Sequence, residues 1–97
     1  MKLVNIKKVE DCIDSGTVFE YFFDEAINEE SIRKLGRLGR LQYYDSFSKP
    51  FFKVIADCGV QIKGIVGDLY IQITFPKTNL ENIKEEIEKL INDILKQ

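Results

Sequence analysis

The 97-residue chain contains no histidine and no tryptophan, and only two cysteines and two prolines. Without histidine there is no Ser-His-Asp or Cys-His nucleophile, no imidazole zinc site and no histidine-ligated haem. Cys12 and Cys58 stand far apart with no C-x-x-C spacing, so neither a zinc knuckle nor a thioredoxin-type redox site is written here. The D-x-D-x-D-G spacing of a calcium loop is also missing. Asp11 to Gly16 supplies two aspartates and a glycine but lacks the later ligands and the closing glutamate. No metal and no cofactor is expected.

Long apolar runs are absent too. No window approaches the roughly 18 uninterrupted apolar residues of a membrane-spanning helix. Met1 to Lys8 interrupts its apolar residues with charge too often for the apolar core of a leader. The expectation is a cytoplasmic chain with two reduced thiols and no membrane partner. With 44% hydrophobic and 31% charged residues, the composition is that of a folded chain rather than a disordered one. The length suits a single domain over residues 1–97.

The net charge is only −2, but it is segregated. Residues 1–30 carry three lysines against eight carboxylates, whereas residues 31–53 carry Arg33, Lys34, Arg37, Arg40, Lys49 and Lys53 against Asp45 alone. Every arginine lies in that stretch.

Residues 2–9 are read as a first strand, and Asp11 to Gly16 as a turn. Thr17 to Phe23 is β-branched and aromatic and apolar on both sides except at Glu20, which predicts a central strand or one covered on both faces. A two-turn helix follows, with Asn28 as N-cap, Glu29 and Glu30 in the first turn and an Ile27–Ile32 staple. Gly36 is expected to stop it in the left-handed region. Arg33 and Lys34 then lie in the last turn, where cations complement the helix dipole.

From Leu41 the pattern is that of a β-meander. Leu41 to Tyr44 is a short strand, and Pro50 marks the entry to another over Phe51 to Ala56. Asp57 to Gly59 is a turn, and Val60 to Val66 alternates. Gly67-Asp68 is expected to form a two-residue type II′ loop into an alternating strand from Leu69 to Phe75. Thr78 and Glu81 fit a capping box, and Leu80, Ile83, Ile87, Leu90 and Ile94 form the apolar stripe of a long final helix, with Glu85 placed to pair with Lys89. The sum is an α+β fold: an antiparallel sheet of four to six strands, a long C-terminal helix packed on one face, and one short helix after an early strand.

Chemistry is sparse in this pattern. Acid–base work would fall to a carboxylate, lysine, tyrosine or thiol, with Asp24, Glu25, Lys63 and Cys58 as candidates, but the sequence marks no partner for any of them. Gly36-Arg37-Leu38-Gly39 resembles the G-x-x-G loop with which KH domains clamp a nucleic-acid backbone. That loop joins two helices, whereas here strand-forming residues follow, so a helix stop and a tight bend are the expectation.

The segment from Arg33 to Lys53 as a whole is the best functional candidate. It interleaves cations with Tyr43, Tyr44, Phe47, Phe51 and Phe52, the combination that single-strand binders use for phosphates and bases. Arg37, Arg40, Tyr44, Phe47, Lys49 and Lys53 are the candidate contacts. The expected function is a small interaction module, an accessory subunit or self-associating domain with a protein partner or a second copy. Single-stranded nucleic-acid binding through the same residues is the alternative, and an enzyme using carboxylate or thiol chemistry is third.

Overall fold

Alternation of apolar and polar side chains fixes which way each strand faces, and the aromatic and β-branched content of this chain supplies enough strands for one broad sheet. The computed structural model describes residues 1–12, 16–46, 48–56, 59–76 and 80–95. Six strands, β1 (Leu3–Cys12), β2 (Gly16–Phe23), β3 (Gly39–Tyr44), β4 (Phe51–Ala56), β5 (Gln61–Ile65) and β6 (Tyr70–Phe75), form one antiparallel sheet in the order β1-β2-β6-β5-β4-β3. A hairpin (β1–β2) and a four-strand meander (β3 to β6) are thus joined where β6 pairs with β2. Two helices complete the fold, α1 (Glu29–Leu35) and α2 (Leu80–Leu95).

Both helices cover the same face of the sheet. That face is lined by Tyr21 and Phe23 of β2, Ile71, Ile73 and Phe75 of β6, Ile62 of β5, and Phe52 and Val54 of β4, all buried. From the helices, Ile32 and Leu35 of α1 and Ile87, Ile91 and Leu95 of α2 close over them. Phe52 lies directly opposite Gly64 in the β4–β5 ladder, and its ring occupies the place of the missing side chain: a Cβ on Gly64 would stand 2.5 Å from the ring.

Several expectations hold in detail. β4 has the bounds read from the sequence, and the Asn28 side chain caps α1 by accepting from the Ser31 amide at 2.9 Å. Others are corrected. β1 runs on to Cys12, past the start of the expected turn. β2 is a central strand, flanked by β1 and β6, as the first of its two expected alternatives has it; helices cover one face alone, so Phe22 is only half-buried. Gly36 has a right-handed φ of −61°, and the chain continues into a 3-10 turn, Gly36–Leu38; a Cβ at Gly36 would stand 3.0 Å from a methyl group of Leu41, a tight contact that the Leu41 side chain would have to yield to.

The β5–β6 connection is longer than two residues. The Asp68 amide donates to the Ile65 carbonyl, which puts Gly67, with φ +96°, at the second central position of the turn. The loop is drawn out because its backbone also pairs with Ile27: the Gly67 amide donates to the Ile27 carbonyl, and the Ile27 amide donates to that of Asp68. That pairing anchors the approach to α1. It also leaves Leu69 outside the core, 53% exposed.

In α2 the buried stripe steps by four through Ile87, Ile91 and Leu95, and Leu90 is 39% exposed. The ion pair formed within this helix is Lys84–Glu88 at 2.9 Å rather than Glu85–Lys89. The Lys84 ammonium also sits 5.0 Å from the Phe19 ring centre, over an edge-to-face cluster of Phe19, Tyr21 and Phe75. Thr78, Asp57 and Cys58 lie outside the described residues. Among the described residues, no helix is long and apolar enough to cross a membrane.

Candidate functional site

Because both helices lie on one side, the other face of the sheet has no cover among the described residues. Its side chains follow from the register. In one row across the strands, Tyr44 of β3, Phe51 of β4, Ile65 of β5, Tyr70 of β6 and Phe22 of β2 stand side by side. Tyr44 and Phe51 are stacked, with ring centres 4.7 Å apart and planes at 21°, and Phe22 and Tyr70 are 5.3 Å apart. The next row, two residues along each strand and so about 6.8 Å away, is polar: Gln42, Lys53, Lys63, Gln72 and Glu20.

From β3 to β6 these two rows enclose an open groove of about 640 Å³, which Phe22 and Glu20 of β2 do not line and which Lys49 borders from the loop before β4 and Asp68 from the β5–β6 turn. Its electrostatics are set by Lys53 and Lys63, which are direct cross-strand partners. Like charges placed opposite one another destabilise a sheet. None of the ion pairs found among the described residues relieves either lysine. The Tyr44 hydroxyl donates to the Gln42 side-chain oxygen at 3.2 Å, holding that amide in the polar row.

The sequence-derived candidates divide. Tyr44, Lys49 and Lys53 line the groove. Arg40 is exposed on the open side of β3, one alternation beyond Gln42, opposite Ile55 and outside the groove lining. Arg37 is in the 3-10 turn and does not line it. Phe47 lies outside the described residues. Strand alternation sends the other aromatics of the segment inward: Phe52 is buried, and Tyr43 is half-buried on the helix side, where burial and then the Glu29 and Asp45 carboxylates push its phenol above the ordinary value.

Lys63, Ile65, Tyr70 and Gln72 are the residues that reading a contiguous segment missed. The alternation of Lys63 against Ile62 and Gly64 carried the signal for its face, but only the register brings it opposite Lys53.

Two of the four catalytic candidates have structural occupations, while Lys63 lines the groove and Cys58 lies outside the described residues. Asp24 accepts a hydrogen bond from the Lys2 amide at 2.7 Å, and Glu25 pairs with the terminal ammonium of Met1 at 2.8 Å. Among the described residues, no three Cys, Asp or Glu side chains converge on a point that could hold a metal ion. The phenol of Tyr21 is raised by burial first and by the nearby Glu88 carboxylate second, and its hydroxyl lies near Glu88 without closing a well-formed hydrogen bond. It faces the core, away from the groove. Comparison with known proteins finds no matching family model, no matching curated protein and no matching solved structure.

Proposed function

We propose that the chain is a small binding module that takes an anionic partner on the open face of its sheet, over the groove between the aromatic and polar rows. One observation carries this reading: Lys53 and Lys63 face each other across β4 and β5, beside a row of partly exposed rings. A merely solvated face would be more stable with an acid at one of the two positions. An anion bound between them removes the repulsion, and the neighbouring rings supply apolar contact area.

The test is thermal unfolding in the presence of inorganic tripolyphosphate. A ligand that binds only the folded chain raises the midpoint with its concentration. The wild type should show that rise, and the double variant Lys53→Gln/Lys63→Gln should lose it. No rise, or an equal rise in both proteins, would overturn the reading.

Self-association has one observation in its favour. β3 is an edge strand whose register with β4 is unbroken from Gly39 to Tyr44, so its outer side can pair with another strand, whereas the other edge, β1, is interrupted by two register shifts. Concentration-dependent sedimentation would report a second copy paired there.

A further inference from the structure

We infer that the occupant of the groove is single-stranded nucleic acid, its bases over the aromatic row and its backbone along the lysine row; this rests on the reading of the open face as an anion-binding surface. The first argument is the arrangement of the rings. Two aromatic pairs, Tyr44–Phe51 on β3–β4 and Phe22–Tyr70 on β2–β6, flank Ile65 on β5. At the spacing of strands in a sheet the centres of the two pairs are about 14 Å apart. That is more than one flat ring can cover, so the row offers platforms for successive bases rather than a socket for one.

The second argument is charge. The groove places Lys49, Lys53 and Lys63 against Asp68 alone among its lining residues, in a chain whose net charge is −2. Lys53 and Lys63 run along one side of the rings, not among them, which is how a strand presents a phosphate backbone on one side and its bases on the other, while Lys49 stands at the other side of Phe51. Gln42 and Gln72 flank the lysines in the same row and can both donate and accept hydrogen bonds. An acidic peptide would satisfy the lysines but brings no flat ring for each step along the aromatic row. A duplex presents its phosphates but keeps its base faces stacked, out of reach of rings on a sheet.

The test is fluorescence anisotropy of a labelled, mixed-sequence single-stranded oligonucleotide of about 12 nucleotides, titrated at several salt concentrations. Three phosphate contacts give a log–log salt slope of about −2 for a single strand. Lys53→Gln/Lys63→Gln should bring the slope towards about −0.7. Tyr44→Ala/Phe51→Ala should weaken binding about tenfold or more while leaving the slope unchanged. The unfolding midpoint of the Tyr44→Ala/Phe51→Ala variant should still rise with tripolyphosphate, which guards against a loss caused by misfolding. A duplex of the same sequence should bind more weakly than the single strand.

Equal affinity for duplex, or a salt slope that ignores the lysine substitutions, would overturn the proposal. So would failure to bind the oligonucleotide at low salt. If tripolyphosphate still raises the unfolding midpoint in a lysine-dependent way, the failure is of this occupant alone, and an acidic protein partner replaces it. If tripolyphosphate has no effect either, the reading of the face fails as well.

Discussion

The two faces of the sheet are built from the same kinds of residue at adjacent positions and put them to different uses. Phe51 and Phe52 are neighbours in β4, yet Phe52 is 1% exposed beneath the helices and Phe51 is 36% exposed against Tyr44. Phe22 and Phe23 divide in the same way across β2, and Tyr44 and Tyr43 across β3. On the covered side every ring has apolar neighbours from another layer. On the open side no second layer covers the rings among the described residues; Tyr44 stacks on Phe51, Phe22 lies against Tyr70, and a pair of lysines stands beside them. Burial accounts for the first face completely. The second concentrates rings without a second layer over them among the described residues, and sets beside them a lysine pair that costs the sheet stability.

The largest effect that would break the comparison lies in β4 itself. Phe52→Ala should cost about 3–5 kcal/mol of unfolding free energy, because it empties the space over Gly64, whereas Phe51→Ala should cost about 1 kcal/mol or less. Urea denaturation of the two variants checks this, and equal losses would mean that the open face is covered by part of the molecule itself. Gly64→Ala should come next, at about 1–3 kcal/mol, since the new methyl group would press on the Phe52 ring from the β5 side.

A smaller effect is expected within the covered face, at the Tyr21 hydroxyl, which is buried without a hydrogen-bond partner among the described residues. Tyr21→Phe removes a buried hydroxyl that closes no hydrogen bond and should be neutral or stabilising by about 1 kcal/mol. Its pH dependence has a definite sign. The folded chain holds the Tyr21 phenol neutral above its ordinary value, while the unfolded chain ionises it near pH 10. The contribution is therefore constant below about pH 10 and is lost as the pH rises beyond that. Tyr21→Phe should lose less stability than the wild type over the same alkaline range, measured by denaturant midpoints at stepped pH. The smallest effect is at the lysine pair: Lys63→Glu replaces repulsion with a cross-strand ion pair and should stabilise by about 0.2–1 kcal/mol while abolishing the response to tripolyphosphate.

Much of this architecture was legible in the sequence wherever local pattern decides structure. Pro50 and the alternation after it bounded β4, Asn28 capped α1, and apolar steps of three and four marked α2. What escaped depends on contacts distant in sequence. Nothing local says that the β5–β6 turn will stretch to pair with Ile27, which leaves Leu69 exposed although it alternates in phase with Ile71 and Ile73; nothing in the stripe says which edge of α2 meets the sheet, and Leu90 falls on the exposed edge.

The candidate site shows the same limit more clearly. Tyr44, Lys49 and Lys53 could be singled out because they fall within one basic, aromatic segment. Lys63 and Tyr70 could not, because they join that segment only through the β4–β5 register and the return of β6. The segment itself was half misleading. Its charges and rings are contiguous along the chain, but pleating divides them between two faces, and only one of those faces carries the groove.

The most direct test of that division is an amide NMR titration of the chain with the single-stranded oligonucleotide. The account predicts perturbations concentrated at Tyr44, Lys53, Lys63 and Tyr70, with the amides of Ile87 and Ile91 in α2 unmoved. Perturbations centred on α1 and α2, or none at saturating oligonucleotide, would contradict it.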